Sequence, residues 1–297
     1  MKVLATRRYP GPAFEQLEDV VVLALSQLTA PRADIEALVV ANEPPPLDLL
    51  PELRLVANFG VGYDRLGVDE LRRRGLEVTN TPGVLDAATA DLTFALMLAA
   101  RRRLVEGDQR VRARAWHGSW ADSFLGEEVT GSTLGIVGLG RIGQAVARRA
   151  QGFDLRVLYT QRRRVETTFG EYRELDRLLA EADIVTVHAP LTSDTRGLID
   201  RRRLALLQDS ACFVNTARGE IVDERALVDE LVSGRIRAGL DVFADEPHVP
   251  GELLGLTNVV LTPHLGSATR QAREAMTRIV VENIRAFERG EALVSPV

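Results

Sequence analysis

The sequence predicts an α/β chain made of two doubly wound parallel sheets in tandem. Three observations carry that reading. Short, nearly continuous apolar runs recur from end to end, as suits strands buried on both faces. Amphipathic helical patterns lie between them, the alternation that builds parallel sheets. One run leads directly into three glycines spaced as G-x-G-x-x-G.

In chain order, the first sheet takes "KVLAT", "VVVLALS", "ALVVAN", "LRLVANF" and "LEVTNT". Residues 86–114, "DAATADLTFALMLAARRRLVEGDQRVRAR", read as one long helix crossing from the first unit to the second, with a strongly apolar first half. The second sheet takes "TLGIVG", "LRVLYT", "ADIVTVHAP", "ACFVNTA", "RAGLDVF" and "NVVLTPH". Between its later strands Asp223 is placed to N-cap a helix that stops before Gly234. The final pattern, "TRQAREAMTRIVVENIRAFERG", is a long helix ending near Gly290, expected to return to the first unit. The domains are therefore expected at 1–94 with 272–297, flavodoxin-like, and at 95–271, a Rossmann unit.

Composition bounds the function. A chain of 297 residues holds two domains with cores of their own. A net charge of −5 argues against general binding to nucleic acid or to anionic membranes. The single cysteine, Cys212, sits in an apolar run and excludes both an internal disulfide and a cysteine zinc site; no metal is expected. The chain opens without an apolar signal segment, and "LTFALMLAA" is too short to span a bilayer, so a cytoplasmic protein is expected.

The glycine motif, "TLGIVGLGRIGQAVARRA", follows a strand and opens a helix, the context that makes it informative. Gly138 allows the tight turn, Gly140 a close approach to a pyrophosphate, and Gly143 close helix packing. With Arg141 and Ile142 they are expected to hold a dinucleotide on the helix N-terminus. The second strand ends in "LYTQRRR". An NAD-binding unit carries an acidic residue near this point for the ribose 2′-hydroxyl. Here Gln161, Arg162, Arg163 and Arg164 follow instead. A charge run is often only wet surface, but this placement favours a 2′-phosphate, hence NADP(H) over NAD(H). Arg164, one step further out, is expected in solvent.

Later strand ends supply acid–base groups: Arg218 in "NTARGEIVD", Asp241 and Glu246 in "GLDVFADEP", and His264 in "LTPHLGSAT". An arginine, a carboxylate and a histidine are what reduction of a 2-oxo acid needs. The arginine holds the carboxylate and polarises the carbonyl, the imidazole gives a proton as hydride arrives, and the acid steadies the imidazole.

On these segments the chain resembles the D-isomer-specific 2-hydroxyacid dehydrogenases over nearly its whole length. With "NFGVGYD", "TPGVL", "ATAD" and "YTQRR" it is most similar to the glyoxylate/hydroxypyruvate reductases of that family. The resemblance implies Arg218, Glu246 and His264 as the catalytic set, and backbone N–H groups of Val61 and Gly62 as donors to the substrate carboxylate. It sets Thr89, Ala189, Pro190, Thr195, Thr216, Ala217, Asp241 and Gly266, with Arg218 and His264, beside the cofactor. It further implies a homodimer built on the nucleotide domains. In some reductases of the family a loop tryptophan enters the neighbouring subunit's site, for which Trp116, Trp120 and Phe124 are candidates here. Asp86 departs from the threonine usual in relatives, and the stretch after Glu246 is shorter than usual.

The simpler assignments are a structural His264, a helix-capping Arg218 and a turn carboxylate at Glu246. His188 is expected to line the cofactor side, and His117 and His248 to lie in surface loops. The leading reading is NADPH-dependent reduction of glyoxylate or hydroxypyruvate to a D-2-hydroxy acid. The alternatives are an NAD-dependent D-3-phosphoglycerate or D-lactate dehydrogenase, and a dinucleotide-sensing protein like the corepressors of this fold.

Overall fold

The computed structural model describes residues 1–118 and 124–297. It divides into two compact units, Met1–Leu85 with Ser267–Val297, and Asp86–Gly266.

The first unit is a five-stranded parallel sheet of β1 (Val3–Ala5), β2 (Val20–Val22), β3 (Ala37–Val40), β4 (Leu55–Asn58) and β5 (Glu77–Thr79), ordered β2-β1-β3-β4-β5. That is the flavodoxin-like order, with its switch point between β1 and β3. Alternate strand residues serve opposite faces. Leu4, Leu38, Val40, Val56 and Val78 join one core with Leu71 of α1 (Val68–Arg73). The C-terminal helix, α8 (Arg270–Glu288), packs on β4. Thr269 caps it by accepting the Ala272 N–H at 3.2 Å. It closes in paired bonds, Glu291 N to Ala286 O at 2.9 Å and Gly290 N to Phe287 O at 3.0 Å, with Gly290 at φ +67°.

The second unit is a seven-stranded parallel sheet of β6 (Thr133–Val137), β7 (Arg156–Thr160), β8 (Glu171–Tyr172), β9 (Ile184–Val187), β10 (Cys212–Asn215), β11 (Arg237–Leu240) and β12 (Val259–Leu261). Its order is β12-β11-β10-β9-β6-β7-β8. The order reverses between β6 and β9, the Rossmann switch point. Ile136, Tyr159, Ile184 and Val214 pack with α2 (Asp86–Arg101) and α4 (Arg141–Ala150). Val137, Leu158, Val185 and Phe213 pack on the opposite side with α5 (Leu175–Glu181), α6 (Arg201–Leu204) and α7 (Glu224–Val232). Both faces being buried explains the unbroken apolar runs. Asp223 caps α7 as expected, accepting Ala226 N–H at 3.0 Å. Burial pushes the Cys212 thiol up to about 12, so it is an inert core group.

Three features differ from expectation. The segment 86–114 is two helices, α2 and α3 (Leu104–Arg112), broken at Arg103 with φ +52°. The break frees the Arg101 carbonyl to accept Glu127 N–H at 2.8 Å, while the Arg103 guanidinium ion-pairs with Glu106 at 2.8 Å. The expected domain boundary at 94/95 would cut α2 and that at 271/272 would cut α8; the units divide at 85/86 and 266/267, so both helices stay whole and α2 lies entirely in the second unit. The strand β8 has no apolar run to announce it and is held by the Tyr159–Tyr172 ring contact at 5.7 Å and an Arg156–Glu171 pair.

Candidate active site

The nucleotide side of the second unit is shaped by its glycines. Gly138 has φ +98°, and a Cβ there would stand 2.7 Å from Ala189 N. A Cβ on Gly143 would overlap the Gly138 carbonyl. A Cβ on Gly140, the N-cap of α4, would meet nothing within 4 Å. Packing therefore demands the first and third glycines, while the second faces open space above a helix N-terminus. A pyrophosphate requires that arrangement, so the residues present fit a dinucleotide. Arg141 and Ile142 form the first turn of α4. Burial pushes the Asp86 carboxyl up, against the opposing charges of Arg141 and Arg148.

The end of β7 is tied to this loop. Gly138 N–H donates to Thr160 O at 2.8 Å and Leu139 N–H to Gln161 Oε1 at 3.1 Å. Gln161 Nε2 in turn donates to Arg163 O at 2.5 Å. The Arg162 and Arg163 side chains are exposed, with Arg162 Nη1 3.8 Å from Asp194 Oδ2. The Arg164 guanidinium, also exposed, leans over the Tyr172 ring at 5.8 Å. Ala189, Pro190 and Thr195 lie in the loop after β9, where Thr195 Oγ1 donates to Pro190 O at 2.6 Å. Burial pushes the His188 imidazole down to about 3, so it is neutral beside Thr186 Oγ1 at 2.9 Å.

The acid–base groups assemble at the ends of β10, β11 and β12. Asn215 closes β10 and folds the next residues back: its Oδ1 accepts Ala217 N–H at 3.0 Å and its Nδ2 donates to Arg218 O at 2.9 Å. Gly219 follows without a side chain because a Cβ would overlap the backbone at Phe243 and Ala244. That close approach brings the Arg218 loop against the Glu246 loop, and Arg218 acts electrostatically on Glu246. Thr93 and Thr216 share a hydroxyl contact at 3.1 Å, and Thr89 Oγ1 donates to Gly266 O at 3.1 Å.

Asp241 organises the last loop. It is fully buried after β11, and burial pushes its carboxyl up, opposed by its hydrogen bonds. Oδ1 accepts Thr262 Oγ1–H at 2.6 Å and Leu265 N–H at 2.7 Å, and Oδ2 accepts Gly266 N–H at 2.8 Å. Its carbonyl accepts His264 N–H at 2.9 Å. Around this anchor His264 is held at φ +54°, a costly conformation for a side-chain-bearing residue.

His264 Nδ1 lies 2.8 Å from Glu246 Oε2, and Glu246 Oε1 accepts Phe243 N–H at 3.2 Å. Burial works to raise the Glu246 carboxyl, but the His264 bond and charge, the Phe243 N–H and Arg218 outweigh it and hold it below the usual carboxylate range. An ionised carboxylate only accepts, so Nδ1 carries the proton and Nε2 is left for a ligand. The imidazole is 46% exposed, accessible to one. Three groups implied by resemblance are thus brought together: an arginine, an ionised carboxylate and an aligned imidazole. The positioning roles of Asn215, Gly219 and Asp241 had no signal in the sequence beyond their place near strand ends.

Other candidates fall elsewhere. Val61 and Gly62 lie in the first unit, in the loop after β4. His248 is exposed beside Asp245, and His117 is exposed. The Phe124 ring is held in its own chain between Arg103 at 4.3 Å and Arg110 at 4.6 Å. Trp116 is 69% exposed, and Trp120 lies outside the described residues. Among the described residues no cluster of histidine, cysteine and carboxylate groups suits a metal, and no helix is long and apolar enough to cross a membrane.

Comparison with known proteins places the chain in a family. Residues 94–266 match the family model described as D-isomer specific 2-hydroxyacid dehydrogenase, NAD binding domain. A glyoxylate reductase of Pyrococcus furiosus is 52% identical over 253 residues, covering 81% of this chain and 74% of that protein. A protein of Thermus thermophilus superposes with a TM-score of 0.93 at 41% identity, with 100% of each chain covered. The NADPH-dependent glyoxylate/hydroxypyruvate reductase of Sinorhizobium meliloti, solved with NADP and malonate, gives a TM-score of 0.91 at 34% identity, covering 100% of this chain and 96% of that one. The chain belongs to the D-isomer specific 2-hydroxyacid dehydrogenase family and is an NAD(P)-dependent dehydrogenase.

Proposed function

We propose that this enzyme reduces small 2-oxo acids, glyoxylate and hydroxypyruvate, to the corresponding D-2-hydroxy acids with NADPH. The observation that carries the reading is the Glu246–His264 hydrogen bond, with Arg218 beside Glu246, at strand ends of a dinucleotide-binding unit. The nicotinamide, when bound, supplies the hydride. His264 gives the carbonyl oxygen its proton from Nε2, because Nδ1 is committed to Glu246. Glu246 stabilises the imidazolium before that transfer and keeps the ring aimed. Arg218 holds the substrate and polarises its carbonyl. Val61 and Gly62 N–H groups receive the carboxylate. The residues that line the cofactor are Thr89 of α2, Gly138 and Gly140 with Arg141, Ile142 and Gly143 of the first turn of α4, and, beyond the strand ends, Gln161, Ala189, Pro190, Thr195, Thr216, Ala217, Asp241 and Gly266.

The preference for NADPH rests on Arg162 and Arg163, exposed cations at the end of β7 where a 2′-phosphate is read. Asp194 beside Arg162 works against it and keeps the preference moderate. A homodimer is supported by the outer surface of α3 and its flanks. Among the described residues, Leu104, Val105, Val111, Trp116 and Leu125 are exposed large hydrophobics close together in sequence here, a composition that suits an interface. Light scattering at micromolar concentration checks it; a monomer there contradicts it. The function itself is tested by steady-state kinetics on glyoxylate, hydroxypyruvate, pyruvate and an aromatic 2-oxo acid with each cofactor. Preference for the first two with NADPH is expected. Cofactor binding without turnover of any of them would mean a sensor.

A further inference from the structure

The loop after β4, Phe59–Tyr63, is held from within in an unusual way. Every carbonyl of Gly60, Val61 and Gly62 is taken by an internal donor. The fully buried Asn58 donates from Nδ2 to Gly60 O at 3.0 Å and to Gly62 O at 2.8 Å. Asn80 Nδ2 donates to Val61 O at 3.0 Å, and Thr81 N–H also donates to Gly60 O at 3.0 Å. In a trans peptide the N–H points opposite to the preceding carbonyl. Three carbonyls turned inward therefore turn three N–H groups outward, those of Val61, Gly62 and Tyr63. None of the three has an acceptor among the described residues. Successive outward N–H groups form a concave donor set suited to an anion.

The Asn58 carboxamide is itself locked. Its Oδ1 accepts Asn42 N–H at 2.8 Å, and Asn42, at φ +56°, also donates from Nδ2 to Asp64 Oδ2 at 3.2 Å. The amide cannot flip, because reversal would set its oxygen against two carbonyls and its NH2 against an N–H. The charge nearby has the right sign. The Arg273 guanidinium lies over the Phe59 ring at 5.6 Å with no carboxylate within ion-pair distance among the described residues. By contrast, the similarly enclosed Arg103, Arg173, Arg203 and Arg235 each have one.

We propose that Asn58, seconded by Asn80, is the positioning residue that aims the N–H groups of Val61, Gly62 and Tyr63 as one three-donor cradle for the substrate carboxylate. The proposal rests on the functional reading above for the identity of the anion, and adds Tyr63 N–H as a donor. Asn58 touches no reacting atom, so its loss should weaken carboxylate binding and leave the chemical step largely intact.

The test uses the full-length enzyme with saturating NADP+ and oxalate as a non-reacting carboxylate probe, titrated by calorimetry, alongside steady-state kinetics with glyoxylate. Asn58→Asp removes both donors at constant shape and sets a carboxylate against two carbonyls. Oxalate Kd and glyoxylate KM should each rise at least about tenfold, kcat should change less than about threefold, and NADPH affinity should stay unchanged. Asn80→Ala, which frees one carbonyl only, should give a smaller rise of the same pattern and decides the matter if Asn58→Asp does not fold. Unchanged oxalate Kd in both variants would overturn the proposal, as would a fall in kcat without a rise in KM. A wild type that binds oxalate but does not turn over glyoxylate would refute the functional reading. The cradle would then still stand or fall on the oxalate titration.

Discussion

Replacing Gly219 by alanine should disable the enzyme without touching a reacting group. The glycine sits where the Arg218 loop meets the Glu246 loop, and its missing side chain would overlap the Phe243 carbonyl carbon and Ala244 nitrogen. These are backbone atoms on both sides, so no rotamer change relieves the clash. The two loops must separate by at least about 1 Å to restore ordinary contact. Overpacking of this kind costs typically about 1–3 kcal/mol of stability. The larger effect is on alignment. Phe243 N–H holds Glu246 Oε1, and Glu246 Oε2 holds His264, so a displaced Phe243 carries the acid–base pair away from Arg218. Misplacement by about 1 Å costs on the order of 10²-fold in rate. The assay is kcat/KM for glyoxylate with NADPH, beside NADPH affinity by fluorescence and a thermal melt. A loss near 10²-fold with a folded, cofactor-binding protein is expected. Wild-type kcat/KM in a protein of wild-type melting behaviour would refute the argument that this contact aligns the site.

Glu246→Gln should lower kcat, since the imidazole loses the carboxylate that aligns it; an unchanged kcat would separate Glu246 from His264 function. Because the folded carboxyl is held below its ordinary value, the stability difference between wild type and Glu246→Gln should be full above about pH 4.3 and disappear as pH falls through the lowered folded value, read by melts across that range. Replacing Arg162 and Arg163 together with alanine should raise KM for NADPH at least about tenfold, each charge-assisted bond being worth roughly 1.5–3 kcal/mol before solvent screening. KM for NADH should barely move, and equal losses for both cofactors would assign the arginines to the fold.

Much of the fold was legible because its signals are local. All eleven predicted strands are present, most of them because burial on both faces forces a continuous apolar run; the edge strand β2 is an exception, with Val22 exposed. What escaped was decided by distant partners. Nothing in "ARRRLVEG" announces a break, because Arg103 turns left-handed where the chain returning at Glu127 claims the Arg101 carbonyl. The two-residue β8 is held on β7 by contacts that no apolar run announces, the Tyr159–Tyr172 ring contact and the Arg156–Glu171 pair. At the site, the glycine motif and strand-end histidine could be read from spacing, and the pairing of Glu246 with His264 was implied by resemblance. The parts that set their precision were invisible. Beyond the place beside the cofactor expected for it, the Asp241 carboxylate binds three groups of the His264 loop. Asn58 looks like an ordinary strand end, and only the three-dimensional path of Gly60–Gly62 gives its amide a purpose.

On this reading an imidazole aligned by Glu246 is the proton donor in 2-oxo-acid reduction. That role is tested most directly by comparing wild type with His264→Ala for turnover of glyoxylate at saturating NADPH, with NADPH affinity measured on the same samples. kcat should fall by about 10²–10⁴-fold, the range of general acid catalysis, with NADPH affinity within a few-fold of wild type. A variant that keeps near-normal kcat, or one that loses turnover only because NADPH no longer binds, would contradict it.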